Sequence, residues 1–331
     1  MKLGAKNLAA GNADAAANAF DSAVSMVHAP DAELGLVRSY MQAGHYRQAL
    51  SSSAHTAGAH KEEPQGTALY VWLLQVGGQE TAAKRILLEA QRRTTGDAVV
   101  SQTARWMDSA STTSSASPGA TSAFAPYSLP PVSVASAITA GSGVLIDGGR
   151  HALVPLALLA HTGSIRVRNG LGQTRKAMVE RRYQNQGLVL LRLERALALP
   201  EGFMIAGSDP FPGSVVYSTE YSAARGAAPE WPVLRHGFLG PPAGNGRDRT
   251  LGLTLPNGPH GGPVFDASGA LTGIAISGPH GEAVLLPASR IRQELGDRLG
   301  PVAPPMSGPR IAIEQVYENA MRVTLQVFTV R

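Results

Sequence analysis

The chain has 331 residues, 44% of them hydrophobic and 16% charged, which suggests about two domains with enough apolar material for packed cores. It contains no cysteine, which excludes a disulfide scaffold, thiolate metal sites and a cysteine nucleophile. The net charge of +5 arises beyond residue 108, from about 18 arginines and a single lysine, Lys176. Scattered arginine without basic runs or interleaved aromatics argues for a solvated basic surface and against nucleic acid.

Residues 1–107 are rich in Ala, Leu, Gln and Glu and repeat themselves. GNADAA at Gly11, GHYRQA at Gly44 and GQETAA at Gly78 are spaced by about 33 and 34 residues, the period of a helix-turn-helix solenoid. In each copy a glycine ends one helix, and an alanine five residues later (Ala16, Ala49, Ala83) permits close contact within the helix pair. Apolar residues at helical spacing follow: Phe20, Ala23 and Val27 in the first copy, Ile86, Leu87 and Ala90 in the third. The pattern resembles the tetratricopeptide repeat (TPR). That resemblance implies a face for a peptide or partner protein, on which Tyr40 and Tyr46 are expected. The other reading is that these helices only pack on a neighbouring domain.

Residues 108–131, rich in Ser, Thr, Ala and Pro, read as a linker. From 132 to 299 short β-type runs alternate with glycine and proline: VSVASAI, SGVLID, GSIRV, GLVLLRL, GSVVYST, LGLTL, GALTGIAIS and EAVLLP. Such spacing predicts a sandwich or barrel. IRQEL is a closing helical turn, residues 300–310 a second, Pro-rich linker, and 311–331 a helix running into a strand.

The run GPHGGPVFDASGALTGIAI, Gly258 to Ile276, resembles the nucleophile loop of trypsin-like serine proteases, particularly the bacterial HtrA type. In that loop glycines allow turns closed to other residues and aim backbone N–H groups at an oxyanion. AGSGVLIDGGRHALVPLALLA, QGLVLLRLE, AGSDPFPGSVVYSTEY and EAVLLPASRIRQEL follow the family's segments in order, so the resemblance covers about 168 residues. It implies a chymotrypsin-like double β-barrel after the helical solenoid, a multidomain α and β chain. VYENAMRVTLQVFTV resembles the segment that opens an HtrA-type domain, here displaced to the end. It is expected to add a strand to the first barrel, to pair with another molecule, or to dock as an amphipathic helix on the repeats.

The chemistry of the family is missing. The nucleophile position holds His260, the general-base position Ala157 and the orienting-carboxylate position Gly187. Acyl transfer on this fold needs a hydroxyl, an imidazole and a carboxylate together, so a pseudoprotease is expected. The cleft is then either filled or still used for binding. Binding would involve Gly258, His260 and Gly261 of the loop and the strand Ile274, Ala275, Ile276 and Ser277, along which such proteases align a peptide by β-pairing. Two alternatives stay open. One is a serine hydrolase with a relocated nucleophile, Ser142 or Ser277 with His260. The other is a metal site at His260 with one of His151, His161, His236 or His280, although no local ligand spacing supports it. No cofactor is expected. Partners are expected to be proteins or peptides.

No apolar run approaches the ~18–20 residues of a membrane span, and the opening MKLGAKNLAAGN lacks the apolar core of a signal peptide. The resemblance implies a bacterial protein acting in the periplasm or elsewhere outside the cytoplasm, with a leader absent from this sequence. A cytoplasmic protein would read the same way.

Overall fold

Glycine sets the rhythm of the first 111 residues. The computed structural model describes residues 1–111, 137–159, 163–221, 230–242, 249–256, 260–278, 281–304 and 309–330. The chain divides into two compact units, residues 1–133 with 228–231, and residues 134–227 with 232–331. The first unit carries α1 (Lys2–Ala9), α2 (Ala13–Met26), α3 (Pro30–Ala43), α4 (Tyr46–Ala59), α5 (Pro64–Val76), α6 (Glu80–Arg93) and α7 (Ala98–Ser111).

Gly11, Gly44 and Gly78 precede α2, α4 and α6 with φ of 80°, 74° and 82°. This is the left-handed region that lets a helix end and the chain reverse. Ala16, Ala49 and Ala83, five residues on in each copy, have no exposed surface. Phe20 of α2 fits only because α3 offers Gly35, where a Cβ would collide with the ring. α5 is buried nearly all round, from Gly66 to Val76 except Tyr70, as expected of a helix enclosed by others. Its Val71 and Leu74 join Ala83, Leu87 and Ala90 of α6 and Val100 and Met107 of α7 in one cluster. Trp231, distant in sequence, belongs to this unit, its ring 5.4 Å from Trp72 and 6.3 Å from Tyr46.

The second unit holds two closed antiparallel six-strand barrels. The first is built from β1 (Ala137–Ile146), β2 (His151–Pro155), β3 (Ser164–Asn169), β4 (Thr174–Tyr183), β5 (Leu188–Leu193) and the last strand of the chain. The second is built from β6 (Val215–Glu220), β7 (Val233–Pro242), β8 (Arg249–Gly252), β9 (Pro263–Asp266), β10 (Leu271–Ser277) and β11 (Ala283–Pro287), followed by α8 (Ala288–Leu295). This is the trypsin-like double β-barrel. A core of Val216, Leu239, Leu251, Leu255, Val264, Ala275 and Leu285 fills the second barrel.

The terminal segment forms α9 (Ile313–Val323) and β12 (Thr324–Val330). β12 lies between β1 and β3, paired with β1 from Val144↔Thr324 to Ala137↔Val330 and with β3 from Leu325↔Asn169 to Val330↔Ser164. Of the three placements the sequence leaves open, the strand that closes the first barrel is the one found. α9 buries Val316, Tyr317, Ala320, Met321 and Val323, and the Tyr317 hydroxyl donates to Pro232 O at 2.7 Å.

Four local differences separate sequence and structure. β4 and β7 have no counterpart among the expected runs: β4 exposes most of its residues, including Arg181 and Arg182, and β7 buries only Leu234 and Leu239. α7 runs through Ser111 into the expected linker, whose remainder from residue 112 lies outside the described residues, as does most of VSVASAI. The run SGVLID is the end of β1, whose described part begins at Ala137. The described start of the second Pro-rich linker is held in place: Ile205 donates to Pro301 O and accepts from Ala303 N, each at 2.8 Å.

Candidate functional site

Three short turns meet where the two barrels join. β2 ends at Pro155 and passes into a 3-10 turn, Leu156–Leu159, which carries Ala157. β5 begins after Gly187, whose φ of 63° turns the chain in the left-handed region. Leu156 N donates to Gly187 O at 2.7 Å and fastens these two turns together. His260 and Gly261 lead into Gly262 and β9, and Gly261 lies so close to Pro155 and to Ser142 O of β1 that a Cβ there would collide with both. Pro155, the immediate neighbour of Leu156, thus links all three turns, and the positions of Ala157, Gly187 and His260 share one locality. Gly258 lies outside the described residues.

The side chains that Ala157, Gly187 and His260 bring to this junction differ sharply in chemistry. Ala157 and Gly187 offer nothing ionisable. His260 is partly buried, and burial depresses its imidazole below the ordinary value, which favours the uncharged ring. Ser142 has no exposed surface, and its Oγ accepts the N–H of Tyr221 at 2.8 Å. A hydroxyl sealed in this way has no path to a substrate carbonyl. Ser277, by contrast, is exposed.

The group that sequence reasoning missed is Glu220, the last residue of β6. It is 1% exposed, and its Oε1 accepts the N–H groups of Gly262 at 2.9 Å and Gly261 at 3.3 Å. Burial pushes its pKa up to about 7, against the opposing effect of the bonds from Ser142, Gly262 and Gly261. Burial prevails because a carboxylate loses more solvation here than three hydrogen bonds return. In the sequence Glu220 only ends an apolar run, and its partners are 41 and 42 residues away, so no local pattern announces it.

The strand expected to align a peptide is partly enclosed. β10 pairs with β9 as far as Ile274↔Pro263, and Ala275 N donates to Gly262 O at 2.9 Å. Ile274 and Ala275 are fully buried, so their side chains belong to the core and not to a binding surface. Beyond them β10 pairs only with β11 among the described residues, through Ile276↔Val284 and Ser277↔Ala283. There Ile276 is half-buried and Ser277 exposed, which leaves a short edge beside the His260 loop.

The other sequence candidates fall elsewhere. Tyr46 has no exposed surface and its hydroxyl donates to Leu73 O at 2.8 Å, so it is a core residue and not part of a partner-facing surface. Tyr40 is half-buried against Ala16, Phe20 and Leu36. Both ring nitrogens of His151 face carboxylates, Nδ1 at 2.7 Å from Asp147 and Nε2 at 3.0 Å from Glu180, and Arg150 and Arg298 pair with those same acids. His236 sits at a tilt beside Tyr217 on the neighbouring strand, the ring centroids 6.4 Å apart. His161 and His280 lie outside the described residues. Among the described residues, none of these histidines, nor His260, belongs to a group able to bring three metal-ligating atoms together.

No family model matches the sequence, and no curated protein matches it. Among solved structures, the chain is similar to the MamO protease domain from Magnetospirillum magneticum in its apo form. The identity is 20%, the match covers 51% of this chain and 97% of that one, and the TM-score is 0.34. No helix among the described residues is long and apolar enough to cross a membrane.

Proposed function

We propose that this chain is a non-catalytic, protein-binding scaffold or adaptor, a pseudoprotease domain carried behind TPR-like helical repeats. One observation carries the reading. The positions that would need an imidazole, a carboxylate and a hydroxyl gather at one junction through Leu156, Gly187, Pro155 and Gly261, and the residues there are Ala157, Gly187 and His260. A retained frame without the family's proton shuttle and attacking group is what supports the pseudoprotease reading.

Binding uses what the frame retains. The edge of β10 at Ser277, unpaired on that side among the described residues, offers backbone groups to an extended peptide by β-addition. The left-handed glycines and buried alanines of the helix pairs support the TPR reading, with a partner face assigned to those repeats. The compartment in this reading is the periplasm or its equivalent, which fractionation of the native host would test.

A fluorophosphonate probe applied to the full chain tests the absence of hydrolase chemistry, and no labelling is expected. Labelling mapped to Ser277 would instead establish a relocated nucleophile. A peptide-library screen in parallel is expected to yield extended binders whose affinity falls at least tenfold in Ser277→Pro, since proline cannot donate to a ladder. Binders indifferent to that change would remove the β10 edge from the proposal.

A further inference from the structure

The helical unit contains a cluster of imidazoles around one buried carboxylate, remote in sequence from the barrels. Glu33 lies in the first turn of α3, and its side chain is 4% exposed. His28 comes from the turn before α3, His55 from α4, and His60 from the residue that ends α4. Glu33 Oε1 faces His60 Nε2 at 3.3 Å, His28 Nδ1 at 3.6 Å and His55 Nε2 at 3.9 Å.

Only the His60 approach is a hydrogen bond. At 3.6 and 3.9 Å the other two are too long for a hydrogen bond, so direct bonding to Glu33 does not explain why those rings gather there. The distances do suit a shared cation. Zinc bonds of ~2.0–2.1 Å to imidazole nitrogen and carboxylate oxygen in a tetrahedron separate the ligand atoms by about 3.3–3.4 Å. The ligating atoms of His28, Glu33 and His55 all lie within 4.8 Å of one another, so rotamer adjustments of the two exposed rings would close the set.

A second observation points the same way. Glu33 Oε2 is buried and accepts no hydrogen bond of good geometry among the described residues; the Thr56 hydroxyl donates to Ser52 O at 3.0 Å and lies near enough to lend the carboxylate some support. A buried carboxylate oxygen left unmatched is costly unless something compensates its charge.

We infer that His28, Glu33 and His55 form a divalent transition-metal site of the zinc class, with His60 orienting the carboxylate. Two imidazoles and one carboxylate make a borderline donor set that suits Zn²⁺ over Mg²⁺ or Ca²⁺. Three protein ligands leave a fourth position for water or for a side chain of a bound partner. His28 and His55 are 74% and 63% exposed, so the metal would sit at the surface of the repeats. His60 supplies the supporting hydrogen bond that ligating carboxylates ordinarily receive.

The test uses the full chain without a histidine tag, stripped with EDTA and titrated with Zn²⁺ against a chromophoric chelator. One equivalent per chain is expected, and the His28→Ala/His55→Ala variant should bind that equivalent at least 100-fold more weakly. Both substituted rings are exposed, so the variant should keep wild-type helicity by circular dichroism. Co²⁺ in place of Zn²⁺ should give the intense visible bands of a tetrahedral site in the wild type and lose them in the variant. Absence of a bound equivalent, or one that survives the double substitution, would overturn the assignment.

Discussion

The carboxylate of Glu220 holds the backbone N–H of Gly262 at 2.9 Å, behind the loop that carries His260. In a fully buried place such a group prefers its proton, and its pKa of about 7 stands above the ordinary value of 4.5. The raised value means that the folded state binds a proton the unfolded chain has already released. Its contribution to stability is therefore complete below pH 4.5 and is lost as pH rises through about 7.

Glu220→Gln keeps an acceptor for the two glycine amides and removes the titration. The wild type should lose stability between pH 5 and pH 7.5 by up to about 3 kcal/mol more than the variant, since each pH unit by which a pKa is raised is worth ~1.4 kcal/mol. Urea midpoints of both proteins across that range check this. Parallel pH profiles would show that Glu220 titrates normally.

Gly261→Ala tests the junction itself. A Cβ there would meet Ser142 O and the Pro155 ring, neither of which is the yielding end of a flexible side chain. The substitution should cost about 3 kcal/mol or more, in line with overpacked sites. Gly281→Ala is a suitable contrast: its φ is +82° but a Cβ meets nothing within 4 Å, so only backbone strain of ~1 kcal/mol is expected. Thermal melts that rank the two equally would deny the close approach of the nucleophile-like loop to β1 and β2.

How much of this was legible follows from where each constraint acts. The repeat is readable because a single residue enforces each feature: glycine at a left-handed φ, alanine at a contact with no room for more. Most barrel strands are readable because their cores demand apolar runs, whereas β4 exposes most of its length and leaves no such trace. Ala157, Gly187 and His260 can be followed from sequence to one locality because Pro155, Gly187 and Gly261 fix the turns around them. Glu220 and Glu33 are invisible for one shared reason. Their roles come from burial and from partners that are mostly tens of residues away (His28, five positions before Glu33, is the exception), and neither has a spacing rule. Tyr46 misleads because a tyrosine beside a helix turn looks the same in sequence whether it faces solvent or the core.

Tyr46→Phe measures that core role. The change removes one buried hydroxyl and leaves Leu73 O without its 2.8 Å partner. A loss of about 1–2 kcal/mol is expected, read from the chemical unfolding of the helical unit. The packing on Trp231 and Trp72 should persist, so tryptophan fluorescence of the folded variant should match the wild type. An unchanged midpoint would mean that the bond contributes nothing net.

The last seven described residues carry a larger share of the fold than their position suggests. β12 is hydrogen-bonded on both sides, to β1 and to β3, and Leu325, Val327 and Phe328 have no exposed surface. Without it the first barrel has two unpaired edges facing one another across a strand's width, and an open apolar seam of that kind invites aggregation. A chain ending at residue 310 should therefore keep the α-helical signal of residues 1–111 but lose cooperative unfolding of the first barrel and become insoluble. Adding residues 311–331 as a separate peptide should restore solubility, because the missing strand's register is set by pairing on both sides. A soluble truncated chain with wild-type β-signal would show that the barrel closes without β12.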